Sequence, residues 1–401
     1  MPASSSQDRS PSNASPHATS QRVEDEKPRL VIGVTSDQTC LVLKGRLRAL
    51  REAGFDVTLI SAPGESLTML AKEEEVTACA LPMRRGISPV ADVISFFAVC
   101  RILLRLRPAV TDFSTPKAGL LGNVAAWSLR VPHRVYTLRG LKLESSHGGK
   151  RRLLLWSERV AARCAHLVLC NSTSLRSAAR LLQIAPEKKL RLLGDGSSNG
   201  VDTERFSPGA SGVRRKLGIA DGDRVLGFVG RLTNDKGIPE LLIAFEEILC
   251  AEPRSWLLLV GWFDLADDAV EMRWRTHIAG HPRICHTGFV PDPVPYYRAM
   301  DLLVLPTHRE GFPNVALEAA ACGLAVITTE STGARDAVVP EVTGLLIPPG
   351  YPEAIADAAL ELLRDDGKRR RLGNAGREWV LERYTKERVL GLAVEFYRGL
   401  L

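Results

Sequence analysis

The sequence predicts an α/β protein built from two Rossmann-like, doubly wound domains that face each other across a cleft, preceded by a disordered tail. Three observations carry this. Short β-rich runs alternate with helical runs from Arg29 onward, and the same rhythm restarts at Arg224 after a Pro- and Gly-containing junction. The 401 residues, 45% hydrophobic and 25% charged, also provide enough chain for two domains that each bury a core.

Residues 1–28 are rich in Ser, Pro, Asn and Gln and poor in large apolar residues, which predicts a disordered tail. They lack the basic start and apolar run of a signal peptide. The first domain, 29–205, opens with the strand RLVIGVTS, a helix in LVLKGRLRALREAG ended by Gly54, and the strand FDVTLIS. Val90 to Leu106 reads as an amphipathic helix, because Asp92, Arg101 and Arg105 interrupt it too often for a membrane span. The strand PAVTDFST, a helix from Ala118 to Leu129, HRVYTLRG, a helix from Arg151 to Arg163 and HLVLCNS complete the domain. The second domain, 206–377, runs through RVLGFVGR, a helix beginning at Pro239, SWLLLVG, ICHTGFV, LLVLPT, LAVITT and GLLIPP. Residues 378–401 form a long amphipathic helix expected to pack back toward the first domain. Parallel strands with right-handed crossovers place ligands at strand carboxyl ends, so the cleft is the expected active site.

Net charge is +7 and unevenly spread. Residues 28–205 hold 27 Lys and Arg against 15 Asp and Glu, whereas residues 206–401 hold 23 against 27. An anionic partner or membrane surface is therefore expected to meet the first domain, the alternative being a basic face that only aids solubility. Nucleic acid is not expected, since aromatic residues make up only 6% and do not interleave with the basic ones. The eight cysteines show no CxxC pair or regular spacing and read as buried thiols. His277, His281 and His286 resemble a ligand set, but Gly280 and Pro282 are expected to break the helix that would align them. No metal site is expected.

Gly230, Arg231 and Lys236 fall between a strand and a helix. A guanidinium and an ammonium beside free backbone N–H groups suit a diphosphate, although a solvated basic loop has the same pattern. The segment EGFPNVALE, Glu310 to Glu318, strengthens the first reading. Pro313 suits the start of a helix, whose amino end attracts an anion. Glu310 and Glu318 can then reach opposite ends of one nucleotide-sugar, Glu310 the sugar hydroxyls and Glu318 the ribose hydroxyls. A capping acid plus a surface acid is the simpler alternative, but it leaves the Gly311-Phe312-Pro313-Asn314 setting unexplained.

Here the chain resembles glycosyltransferase family 4, retaining enzymes of the GT-B fold, from Arg29 to the end and most sharply between Gly230 and Pro349. GRLTNDKG is similar to the family's phosphate-binding turn and EGFPNVALEAAACGLAVITT to its E-x7-E motif. GARDAVVPEVTGLLIPPG is similar to its G-x-x-E segment, with Asp336 where glutamate is usual. The resemblance implies that Arg231 and Lys236 hold the donor pyrophosphate, Glu310 contacts the donor sugar and Glu318 the ribose, while Phe312, Pro313 and Asn314 shape the pocket. It implies a nucleotide-sugar co-substrate, UDP before GDP, with no cofactor and no metal.

Many members carry a histidine-glycine pair where this chain has Arg139, and arginine cannot serve as a base near neutral pH. The first loop, TSDQTCLVLKG, also lacks the glycine pair of many relatives. The set TSDQ, LKGRLR, STPKAGLLG, YTLRG and GSSNGVD is similar to a subgroup of bacterial capsule, exopolysaccharide and lipid-linked oligosaccharide assembly that uses undecaprenyl-diphosphate sugars. Asp37, Lys44, Lys117 and Arg139 are candidates for the acceptor side, with Lys117 alternatively a solvated loop lysine and Arg139 alternatively a partner of a donor oxygen or a structural residue. Lys44, Arg48 and Arg51 at helical spacing, with Arg84, Arg85, Arg101, Arg105, Arg107 and Lys150 to Arg152, are expected to dock the chain peripherally on the inner face of the cell membrane, on its cytoplasmic side. A two-domain UDP-sugar epimerase and a catalytically silent nucleotide-binding protein are the alternatives.

Overall fold

The structure is a computed structural model that describes residues 27–83, 86, 88–264 and 268–401. Nearly all of the tail read at 1–28, and Arg84 and Arg85, lie outside the described residues.

The first domain is a seven-stranded sheet made of β1 (Arg29–Gly33), β2 (Asp56–Ser61), β3 (Thr77–Ala80), β4 (Val110–Ser114), β5 (His133–Leu138), β6 (Leu167–Cys170) and β7 (Leu190–Leu192). The second is a six-stranded sheet of β8 (Arg224–Val229), β9 (Ser255–Val260), β10 (Ile284–His286), β11 (Leu302–Leu305), β12 (Ala325–Thr329) and β13 (Gly344–Ile347). Their orders are β3-β2-β1-β4-β5-β6-β7 and β10-β9-β8-β11-β12-β13, and all pairings within them are parallel. Chain direction across each sheet therefore reverses between β1 and β4, and between β8 and β11. Loops leaving those strands splay apart and open a crevice. Helices cover both faces, so the central strands are apolar on both sides: β11 is LLVL and β9 contains WLLLV, with the leucines and valines buried.

Two strands were not anticipated, β3 and β7. Both are short edge strands, and β3 carries exposed Thr77, Ala78 and Ala80 in place of an apolar run. The helix expected over LVLKGRLRALREAG is in fact broken. A short 3-10 turn spans Leu41–Leu43, Gly45 sits at φ 83, and the α-helix proper is Arg46–Glu52. The buried Glu74 carboxylate caps that helix, accepting from the N–H groups of Gly45 and Arg48 at 2.9 Å each.

The single helix expected over 378–401 is two, Asp366–Arg383 and Lys386–Arg398, parted at Tyr384 and Thr385. The Thr385 hydroxyl caps the second by accepting from Arg388 N. The break is where the chain returns to the first domain. Val201 N–H donates to Tyr384 O at 2.8 Å and Lys386 N–H to Val201 O at 2.9 Å, so the outgoing and returning strands of chain lie side by side. Gly200, at φ +67, permits this, since a Cβ there would stand 2.7 Å from both the Tyr384 and Thr385 carbonyl oxygens. The last helix then packs on Arg46–Glu52, and Tyr397 is fully buried in the first domain's core.

Candidate active site in the interdomain cleft

The loop leaving β8 begins at Gly230, φ 146, and tightens into a 3-10 turn at Asn234–Lys236. Gly237, φ 71, then starts the helix Ile238–Ala251. Only glycine fits there, because a Cβ would lie 2.1 Å from Pro306 O at the exit of β11. The two loops of the crevice are thus pressed together. One consequence joins residues 74 apart: Lys236 Nζ donates to Glu310 Oε1, with the two side chains only 14% and 17% exposed. Arg231 is half-exposed and its NH1 lies 2.5 Å from Asp264 Oδ2.

Asp235, next to Lys236, is buried. Its N–H donates to Asp268 Oδ2 at 2.8 Å and its carboxylate accepts from Arg309 NH2 at 2.6 Å. Burial opposes its charge, but the hydrogen bonding with Asp268 and the nearby Arg309 and Lys236 hold Asp235 well below the usual carboxylate range. Asp268 is pushed up to about 6 by burial and by Asp235 beside it. A cavity of about 310 Å³ adjoins this loop, lined by Ser145 of the first domain together with Asn234, Asp235, Glu240, Asp268 and His308.

After β11 the chain passes Glu310, whose N–H donates to Thr332 O at 2.9 Å, and reaches the helix Asn314–Ala321 with Pro313 as its N-cap. Phe312 is buried against the Tyr384 ring, centroids 5.4 Å apart. Glu318 lies in the helix's second turn and accepts from the Tyr297 hydroxyl at 2.8 Å, and burial raises its carboxyl above the usual range. Gly311 touches the other domain: a Cβ there would stand 2.6 Å from the Arg139 carbonyl carbon and oxygen. Gly140, at φ +110, approaches Gly311 N and Glu310 C from the other side. Backbone therefore meets backbone across the cleft at the tip that carries Glu310. Asn314 Oδ1 adds a cross-domain bond, accepting from Ser197 Oγ at 2.9 Å.

On the first domain's side, Arg139 at the end of β5 donates from Nε to Ser114 Oγ and from NH1 to Ser198 Oγ, both at 3.1 Å. Burial, then the neighbouring Arg46, lowers its pKa to about 10, so it stays cationic at neutral pH. Arg46 is fully buried and donates from NH2 to Ser198 O, and Asp112 accepts from Thr137 Oγ1 at 2.7 Å and from the Tyr397 hydroxyl at 2.5 Å. The last helix thereby closes a polar cluster beneath Arg139.

The other acceptor-side candidates are less open than the sequence suggests. Lys117 is mostly buried and paired with Asp92 at 2.5 Å. Lys44 precedes its helix and pairs with Glu73 at 2.7 Å on the surface. Arg48 donates to Glu73 O and Arg51 pairs with Glu75. The basic stripe read at Lys44, Arg48 and Arg51 is thus corrected: Lys44 is off the helix, and the Glu73 and Glu75 carboxylates pair with Lys44 and Arg51. Asp37 follows β1 in a short helix and is half-buried against Gly64. Asp336 accepts from Ser174 N at 2.9 Å and from Ser174 Oγ, clamping the amino end of the first domain's helix Thr173–Leu181.

The expectation about the histidines also needs correction. Helix Met272–Gly280 runs on to His281 as its C-cap, which sets the His277 and His281 rings 5.2 Å apart. Among the described residues, Glu246, His277 and His281 form the one group able to hold a metal, with ligand atoms within 4.8 Å of one another. Yet His281 Nδ1 accepts from Arg283 N at 3.2 Å, which leaves a neutral ring's proton on Nε2, 3.3 Å from Glu246 Oε1. A protonated Nε2 cannot ligate a metal, so in that tautomer the group lacks one of its three ligands. His286 stands apart, with Nε2 2.8 Å from Gly261 O.

Two family models match, "Glycosyl transferases group 1" over residues 212–379 and "Glycosyl transferase 4-like domain" over residues 44–196. The capsular polysaccharide biosynthesis glycosyltransferase CapM of Staphylococcus aureus is 33% identical over 355 residues, spanning 88% of this chain and 92% of that protein. The chain belongs to glycosyltransferase family 4, with the GT-B fold. This glycosyltransferase is also 29% identical to the Escherichia coli UDP-Gal:alpha-D-GlcNAc-diphosphoundecaprenol alpha-1,3-galactosyltransferase over 73% of its own length and 76% of that protein. Among solved structures, Anabaena HepE in complex with UDP-glucose superposes on it with a TM-score of 0.76 at 20% identity, over 93% of this chain and all of that one.

Proposed function

We propose that this glycosyltransferase is a retaining, metal-independent enzyme that moves a hexose or N-acetylhexosamine from a UDP-sugar to a polyprenyl-diphosphate-linked or related glycan. Its setting is cell-surface polysaccharide synthesis at the inner, cytoplasmic face of a bacterial membrane. The observation that carries the reading is the Lys236–Glu310 pair at the mouth of the second domain's crevice, with Lys236 on the loop that also carries Arg231, where the Glu310–Gly311 backbone faces that of Arg139 and Gly140. The relatives act in capsule assembly and on a diphosphoundecaprenol-linked sugar, and the structural neighbour binds UDP-glucose.

In this reading Arg231 and Lys236 hold the donor diphosphate and stabilise the charge that grows on it as the glycosidic bond breaks. Both are paired with carboxylates in the free chain, so the diphosphate displaces or shares Asp264 and Glu310, and Glu310 is released toward the sugar hydroxyls. Glu318 has Tyr297 donating to Oε2 and offers its remaining acceptor capacity to the ribose. Retention follows a front-face path, in which the acceptor hydroxyl attacks on the side of departure and passes its proton to the leaving phosphate oxygen. No protein base is required, which suits Arg139 in a position where it cannot take a proton.

The test is transfer from a panel of UDP- and GDP-sugars to extracted polyprenyl-diphosphate glycans, with the new linkage assigned by NMR. Retained configuration, obtained only with acceptor present, supports the reading. Inversion, or epimerised donor formed without acceptor, overturns it.

A further inference from the structure

The helices Pro89–Leu106, Pro116–Ser128 and Gly148–Cys164 pack side by side on one face of the first domain's sheet. Their outer surface is unusual for a water-facing layer. On the first helix Ser95, Val99 and Leu103 are buried, whereas Ile94, Phe97 and Leu104 point outward, Phe97 being 65% exposed. Arg101 continues the same stripe at helical spacing and is exposed. The neighbouring helices add Trp127 and Trp156, 57% and 58% exposed. On the third helix Arg152, Trp156, Arg159 and Arg163 recur at turn spacing, all exposed.

Carboxylates are nearly absent from this layer. Asp92 and Glu158 are the two in these helices by sequence; one is paired with Lys117, and the other is buried and accepts from the Tyr136 hydroxyl. Exposed aromatics beside exposed arginines, with no exposed acid, complement a surface that is apolar below and anionic above. No helix among the described residues is long and apolar enough to cross a membrane.

We propose that this three-helix face docks on an anionic lipid bilayer, with Phe97, Trp127 and Trp156 entering the headgroup–acyl boundary and the arginines pairing with lipid phosphates. The inference deepens the lipid-linked acceptor reading and rests on it for its purpose, while its physical basis is the surface itself. It also moves the docking face away from the carboxylate-covered Arg46–Glu52 helix to the opposite side of the sheet.

Flotation with phosphatidylcholine–phosphatidylglycerol vesicles, and with phosphatidylcholine alone, tests it. The full chain should float with the mixed vesicles at low salt. Arg152→Gln with Arg163→Gln should weaken binding by about 25-fold, at about fivefold for each neutralised residue. Phe97→Ser with Trp156→Ser should abolish flotation while leaving thermal unfolding and transfer to a water-soluble acceptor analogue unchanged. A wild-type chain that stays in the soluble fraction, or variants that float like it, would overturn the inference. So would a concentration-dependent dimer that the Phe97→Ser, Trp156→Ser variant dissolves without any vesicle binding. Loss of transferase activity with flotation intact would refute the proposed reaction and leave this face standing.

Discussion

Replacing Lys236 with methionine separates the two roles that the Lys236–Glu310 pair can have. The substitution keeps an apolar stem of similar length and removes the ammonium. With the pair 14% and 17% exposed, Glu310 is left as a mostly buried carboxylate that has lost its partner. Such a group costs about 1–3 kcal/mol, or roughly 3–10 °C in the melting temperature of a domain this size. Adding Glu310→Gln removes the stranded charge and should return most of that stability. Turnover should behave differently. Loss of one preorganised donor to the developing phosphate charge lowers kcat about a hundred- to a thousandfold, and no change at Glu310 replaces it. Thermal unfolding and acceptor-dependent release of nucleotide from UDP-sugar, measured on both variants, give the two readouts. A double variant that recovers both stability and turnover would make the pair a strut between loops, and the donor-binding argument would fail.

Three further outcomes follow from other parts of the molecule. Arg231→Ala should cut turnover by about a hundred- to a thousandfold with little change in melting temperature, because Arg231 is half-exposed; near-normal turnover removes it from the site. Gly311→Ala puts a methyl 2.6 Å from the Arg139 carbonyl, so the cleft must open; small-angle scattering should show a larger radius of gyration, with kcat and KM both impaired. Burial pushes the Glu158 carboxyl up to about 7 from its usual 4.5, against the opposing Tyr136 hydrogen bond, so the folded chain holds a proton that the unfolded chain has released. Stability should therefore fall as pH rises from about 4.5 through about 7, by about 3 kcal/mol, and urea midpoints of Glu158→Gln should lack that slope.

Much of the site was legible because its signals are local. Gly230, Gly237 and Gly311 mark sharp or crowded backbone, Pro313 marks a helix start, and the β-rich runs end where the two crevice loops begin. Side-chain partners were not legible in the same way. Nothing near Lys236 in sequence names Glu310 as its partner, and the ribose role read for Glu318 gave no hint of Tyr297. Asp264, the Asp235–Asp268 pair and the Asp336–Ser174 clamp were missed because each depends on a contact between distant segments. The edge strands β3 and β7 were missed for a different reason. One face of an edge strand's ladder is open and its side chains are half-solvated, so β3 carries little of the apolar patterning that marks β9 or β11.

The charge count shows the same division between local and distant information. Summation places a basic excess in the first domain, and it does so whatever the fold. Which face carries the excess depends on where the acids lie. Glu73 and Glu75 lie at the end of a single helix, and the fold sets them against Lys44 and Arg51, consuming positive charge that had pointed to a membrane, while Glu74 between them caps the Arg46–Glu52 helix. On the other side of the sheet Asp92 and Glu158 are both withdrawn, one into an ion pair and one into the interior. Arginines and aromatics therefore share that surface without exposed acids between them. The attraction to an anionic layer arises from the placement of a few carboxylates as much as from the number of basic residues.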